Sequence, residues 1–142
     1  LNPQWLADVM SCLITTKHTF AKDGLLPKDS IRQIFRSYPI KQHDQLIVLL
    51  ENFSIINPLK RKFNGKECYL VPSLLPEDRP TDEVVKYWPK IVPKDYIQYG
   101  RVREFSFLPL GLFERMMVSV LHIEKVEPMV FWRNGLVIKI GE

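Results

Sequence analysis

The sequence predicts an α+β fold, and three observations predict it. Apolar spacing over residues 1–72 runs in the order helix, short strand, helix, helix, strand, loop, strand. Pro72 to Pro93 then holds five of the eleven prolines, a density that blocks long helices and central strands. Beyond it come an alternating run, an amphipathic helix and a hairpin signature. The chain is therefore expected to divide into a first part over 1–72, a proline-rich connector over 73–95 and a second part over 96–142.

In the first part, Asn2 is placed to cap a helix and Pro3 suits its first position. Trp5, Leu6, Val9, Met10 and Leu13 form the apolar stripe of that helix, opposite Asp8 and Ser11. Thr15 to His18 reads as fraying into a loop that ends at Asp23-Gly24. Leu25-Leu26 reads as a short extended segment before Pro27. Ile31, Ile34 and Phe35 repeat at i, i+3, i+4, which predicts a short helix over Lys28 to Arg36. Tyr38-Pro39 ends it, because the residue before proline avoids the helical region. A third helix is expected from Asp44 to Phe53, with Leu46, Leu49, Leu50 and Phe53 on one face. Ile55-Ile56 and Cys68 to Val71 read as strands, joined by a polar loop that holds Lys60-Arg61-Lys62 and turns at Asn64-Gly65. That order of elements is the order of a winged helix.

In the connector, one turn of helix is expected around Asp82 to Tyr87, with Tyr87-Trp88 as a packing anchor. The second part opens with Arg101 to Leu108, where Arg103, Phe105 and Phe107 alternate with Val102, Glu104 and Ser106 like a strand with one aromatic face. Pro109 stops the ladder and Gly111 lets the chain turn. Phe113, Met116, Met117, Val120 and Leu121 then follow i, i+3, i+4, i+7, i+8, a stripe that should bury against a sheet. Met129 to Arg133 and Leu136 to Ile140 read as strands paired through Asn134-Gly135. The fold is thus a winged-helix-like part followed by the start of a mixed α/β part of strand, helix and hairpin.

With 142 residues, 46% apolar and 25% charged, the chain has an ordinary globular composition. Twenty Lys and Arg against sixteen Asp and Glu leave a mild net charge of +4, which by itself does not demand nucleic acid. Cys12 and Cys68 read as free thiols, too few to make a metal motif. No signal peptide is apparent and no apolar run reaches the roughly 20 residues of a membrane span. A cytoplasmic or membrane-peripheral location is expected, without direct membrane insertion. The start at Leu1 rather than Met points to a piece of a longer chain. Asn52-Phe53-Ser54 matches a glycosylation pattern and is read as chance.

The search for chemistry finds little. Gly65-Lys66 lacks the leading glycine and the hydroxyl ligand of a phosphate loop, those places being taken by Lys60 and Glu67. His18, His43 and His122 lie in three different elements and read as surface or helix-end histidines. Glu77-Asp78 and Asp82-Glu83 read as a solvated acidic connector rather than an acid–base pair. A DNA-reading helix needs outward Arg, Lys, Asn or Gln, whereas Asp44 to Asn52 offers two amides, two acids and no base. Lys60-Arg61-Lys62 reads as a solvated loop and Met116-Met117 as core. Trp132 reads as a hairpin anchor. Arg133 is either a surface arginine or one fixed for a bidentate contact.

Asn2 to Met10, Gly24-Leu25-Leu26 and Tyr69 to Leu75 together resemble the first half of a COR domain, the domain that follows the Roc GTPase in Roco proteins such as the leucine-rich repeat kinases. Phe107 to Arg115 and Trp132-Arg133-Asn134-Gly135 resemble the opening of its second half, so the resemblance covers essentially the whole chain. It implies a non-catalytic module that packs on the Roc GTPase domain of its own chain and passes on its nucleotide state. It also implies a homodimer formed mainly through the second half. GTP and Mg would belong to the adjacent GTPase, with no cofactor in this segment. In that family the aromatic position two before the Pro-x-Gly corner lies near the GTPase interface. Here it is Phe107, where relatives can have tyrosine. Pro27 stands where a helix-capping serine can occur, and most of the second part's sheet would follow Glu142. Phe105, Phe107, Leu108 and Arg133 are the residues expected to meet a partner. The competing expectation is a winged-helix nucleic-acid-binding or scaffold module.

Overall fold

The computed structural model describes residues 2–15, 20–97 and 99–141, and the chain divides into two units, Leu1–Pro76 and Glu77–Glu142. In the first unit, the Gln4 N–H donates to Asn2 Oδ1 at 3.0 Å, so Asn2 caps helix α1 (Pro3–Thr15) as its sequence position predicts. Val9 and Leu13 on its stripe are buried. Strand β1 (Leu25–Pro27) leads through a single 3₁₀ turn at Lys28–Ser30 into the one-turn helix α2 (Ile31–Ile34). Helix α3 (Ile40–Asn52) follows. Strands β2 (Asn57–Pro58) and β3 (Cys68–Leu70) complete an antiparallel sheet in the order β1-β3-β2.

Central β3 pairs Tyr69 with Leu26 on one side and with Pro58 on the other, and all three of its residues are buried. Asn57 is buried beside it, its amide donating to the Ser54 carbonyl at 2.9 Å and the Leu70 carbonyl at 3.4 Å. Val9, Leu13, Leu26, Phe35, Leu50 and Ile56 form the core between helices and sheet. Fully burying each such side chain contributes roughly 1.5–3 kcal/mol.

The second unit is built on a hairpin of β4 (Val126–Trp132) and β5 (Gly135–Ile140). The register shifts between Pro128 and Val130, where proline withholds a ladder N–H. Helix α4 (Thr81–Tyr87) packs Val84 against Val130 and Val137, with Tyr87, Met129 and Trp132 around them. Helix α5 (Leu112–Leu121) packs on β4 and buries Met117 and Leu121.

Several sequence expectations are corrected. Arg101 to Leu108 forms no strand, and every residue from Arg101 to Leu110 is exposed. Alternation supplied the pattern of a strand, but no neighbouring strand supplies its hydrogen bonds. The expected strand at Ile55-Ile56 begins two residues later, because both N–H groups are still held by the Leu50 carbonyl after Ser54 turns left-handed (φ 56°). The helix expected over Lys28 to Arg36 is shorter and starts as a 3₁₀ turn; Pro27 brings no side-chain cap. Helix α3 starts four residues earlier than expected, directly after Pro39, whose carbonyl accepts from the Gln42 N–H at 2.8 Å.

Phe53 is exposed, and His43 joins Leu46 and Leu50 on the buried face of α3. His43 is thus no surface histidine: it is 3% exposed, edge-on to Phe35, with Nε2 donating to the Tyr38 carbonyl at 2.9 Å. Its Nδ1 is buried without a hydrogen-bond partner. Met116 is exposed on the outer side of α5, and Trp88 is exposed while Tyr87 packs. Cys68 is buried and Cys12 partly buried, both outside any disulfide. The expected fraying at Thr16 to His18 lies outside the described residues.

Two Asn-Gly pairs fold differently. Asn64 (φ 51°) and Gly65 (φ 75°) form the left-handed pair of a tight turn between Phe63 and Lys66. In the second hairpin the loop is Arg133-Asn134, and Gly135 instead opens β5 opposite Trp132. A Cβ at Gly135 would fall inside the Trp132 indole. Glycine is required there by the ring that covers it. Gly135→Ala should therefore displace Trp132 and destabilise the second unit by about 1–3 kcal/mol, read from tryptophan fluorescence during urea unfolding.

Tyr69 generates a pH prediction. Burial, followed by the Glu51 carboxylate, pushes its phenol from 10.0 up to about 12. The unfolded phenol ionises first, so this contribution to stability is complete below pH 10 and is lost as the pH rises towards about 12. Urea midpoints measured across that window should fall with pH, and Tyr69→Phe should flatten the fall.

Candidate docking surface

Between the last turn of α4 and the first turn of α5 the chain carries apolar side chains that nothing in its own unit covers. Ile91, Tyr96, Ile97, Tyr99 and Val102 are all exposed. The expected site residues Phe105, Phe107 and Leu108 continue the run at 61%, 76% and 60% exposure. Prolines at 89 and 93 withhold ladder donors, the Tyr96 N–H closes a turn on the Pro93 carbonyl at 3.0 Å, and none of the described residues of this stretch joins the β4–β5 sheet. Sequence reasoning singled out the corner residues but missed Tyr96 to Val102. The available signal was an aromatic-rich run beginning inside the proline-rich stretch.

The corner itself is well defined. The Leu112 N–H donates to the Pro109 carbonyl at 3.2 Å, and Gly111 is left-handed (φ 72°). The Arg115 N–H then donates to the Gly111 carbonyl at 3.1 Å, which makes Gly111 the residue on which α5 starts. Phe107 and Leu108 are therefore tied to the first turn of α5 through a three-residue bend.

Arg133, the fourth residue expected to meet a partner, belongs to a different element. It sits in the hairpin loop with Nη1 3.5 Å from Glu77 Oε2, both side chains about half exposed or more. An ion pair so open to solvent contributes roughly 0–1 kcal/mol. Two residues on, the Arg79 guanidinium lies 6.0 Å from the Trp132 ring. Residues 77–79 thus lie along the hairpin end, an arrangement that sequence spacing could not reveal.

In the first unit five of the ten Lys and Arg, with Asp29 and Glu67, lie at the end of the sheet where Pro27 pairs with Cys68. Lys66 Nζ is 3.1 Å from Asp29 Oδ2 and holds that carboxyl below its usual range, chiefly by this hydrogen bond. The Arg61 guanidinium stacks 5.0 Å from the Phe63 ring, and Lys28 Nζ lies 5.3 Å from that of Tyr69. Burial pushes the Cys68 thiol up, away from the reactive thiolate. Among the described residues no group of three or more His, Cys, Asp and Glu could hold a metal ion. No described helix is long and apolar enough to cross a membrane. The described residues thus present a run of exposed aromatics in the second unit and a cluster of cations in the first.

Comparison with known proteins gives the family. The family described as C-terminal of Roc, COR-A domain, matches residues 1–75. Three similar proteins, all from Dictyostelium discoideum, are the probable serine/threonine-protein kinases pats1, roco11 and qkgA. They are 39%, 36% and 34% identical over 99–100% of this chain. The chain spans only 4%, 10% and 9% of their respective lengths. No solved structure matches it. The match over its first half and the similarity over its whole length show that the chain belongs to the COR domain family of Roco proteins, relatives of the leucine-rich repeat kinases.

Proposed function

We propose that the chain is a relay and dimerisation module that packs on the Roc GTPase domain of a Roco protein and passes on its nucleotide state. The observation that carries this reading is the uncovered Phe105, Phe107 and Leu108, three large apolar side chains joined through Pro109–Gly111 to the start of α5. Uncovered aromatics are costly in water and are favoured as anchors in interfaces. Because α5 packs on β4, a partner that shifts the corner also loads the hairpin. A relay needs two arrangements with different contacts, and the bend at Gly111 is where they would differ.

The winged-helix-like first part, with its β1-β3-β2 sheet, would serve as the fixed body. GTP and Mg would be held by the Roc domain. Dimer formation is supported by the β4–β5 sheet, which has two strands and therefore two open edges among the described residues. Phe107→Ala should weaken binding of a separately supplied Roc domain by about 2 kcal/mol, roughly thirtyfold, in titration calorimetry. Unfolding of the first unit should not change. Unaltered affinity would remove the corner from the interface.

A further inference from the structure

The net charge of the chain is unevenly divided. Residues 1–76 hold ten Lys and Arg against six Asp and Glu, whereas residues 77–142 hold ten of each. The whole +4 excess thus belongs to the first unit. Half of that unit's basic residues meet at one end of its sheet. Lys28 follows the last residue of β1, and its N–H donates to the Glu67 carbonyl at 2.9 Å. The Leu59 N–H donates to the Cys68 carbonyl at 3.1 Å, which starts the loop of Lys60, Arg61 and Lys62 from the same end. The Phe63–Lys66 turn then returns the chain to β3. Residues 27–29 and 59–67 together carry five cations against Asp29 and Glu67.

We infer that this basic end is a docking surface for an anionic lipid bilayer. It is a loop and a tight turn at a paired sheet end. Lys60 and Lys62 are exposed, and the half-buried Phe63 ring, stacked under Arg61, gives the tip an aromatic side chain at headgroup level. A nucleic-acid duplex fits less well. Helix α3 carries one cation, Lys41 in its first turn, and none from Gln42 to Asn52, so it is poorly equipped to read a groove. A specific protein partner would need an apolar centre, which this end of the sheet lacks. The surface would set the first unit against the membrane without any segment crossing it.

Vesicle co-sedimentation of the 142-residue chain tests this directly, comparing pure phosphatidylcholine with phosphatidylcholine containing about 30% phosphatidylserine. Binding is expected only to the anionic vesicles and should fall as salt is raised from about 0.05 to about 0.3 M. The double variant K60Q/K62Q should bind about 25-fold more weakly, from about fivefold per cation removed. K86Q/K90Q, which removes the same charge from exposed sites in the second unit, should bind as the parent does. Circular dichroism on both variants establishes that they are folded. Absence of binding to anionic vesicles overturns the inference. So does equal weakening by both double variants, or release from vesicles by duplex DNA at matched phosphate concentration.

Discussion

Five prolines from Pro72 to Pro93 withhold five backbone donors, and neither sheet can pass through a stretch so depleted of ladder hydrogen bonds. Strand β3 ends at Leu70, the Val71 N–H closes on the Gly24 carbonyl at 2.7 Å, and Pro72 takes the chain out of the sheet. Helix α4 is confined between Pro80 and Pro89 to seven residues, enough to bury Val84 and little more. Each unit must therefore close its own core. Helices α1 and α3 cover the first sheet, and α4 and α5 pack against the second hairpin.

This constraint also explains the exposed aromatics. The run from Ile91 to Leu108 leaves the proline-rich stretch with strand-like composition but joins no sheet in the described residues. Its side chains remain in water at a cost that a binding partner can recover, which is the physical basis for reading the corner as an interface. The first unit differs in character. Five of its ten Lys and Arg lie at one end of its sheet, brought there by two short pairings on either side of β3. One chain thus presents an apolar contact from one unit and an electrostatic one from the other.

Much of this was legible in the sequence, where local chemistry decides. The Asn2 cap, the Asn64-Gly65 turn and the amphipathic α5 all follow from residue type and spacing. What escaped depended on tertiary partners. His43 is polar and sits near a helix start, yet it is buried because the Tyr38 carbonyl and the Phe35 ring are there to receive it. Gly135 looked like half of a turn, but its role is set by the Trp132 ring above it. Arg101 to Leu108 has the alternation of a strand, and alternation cannot say whether a neighbour exists. The candidate site was half visible for the same reason: Phe107 stood out beside its corner, whereas the Glu77–Arg133 contact needed coordinates.

The central claim is that residues 101–108 are an open surface awaiting the Roc domain. Amide hydrogen exchange measured by mass spectrometry reads this segment directly, in the chain alone and with a Roc domain loaded with GDP or with a non-hydrolysable GTP analogue. The account predicts fast exchange over 101–108 in the free chain, strong protection on adding the Roc domain, and a different degree of protection with the two nucleotides. Slow exchange in the free chain, or exchange that the Roc domain leaves unchanged, would contradict it.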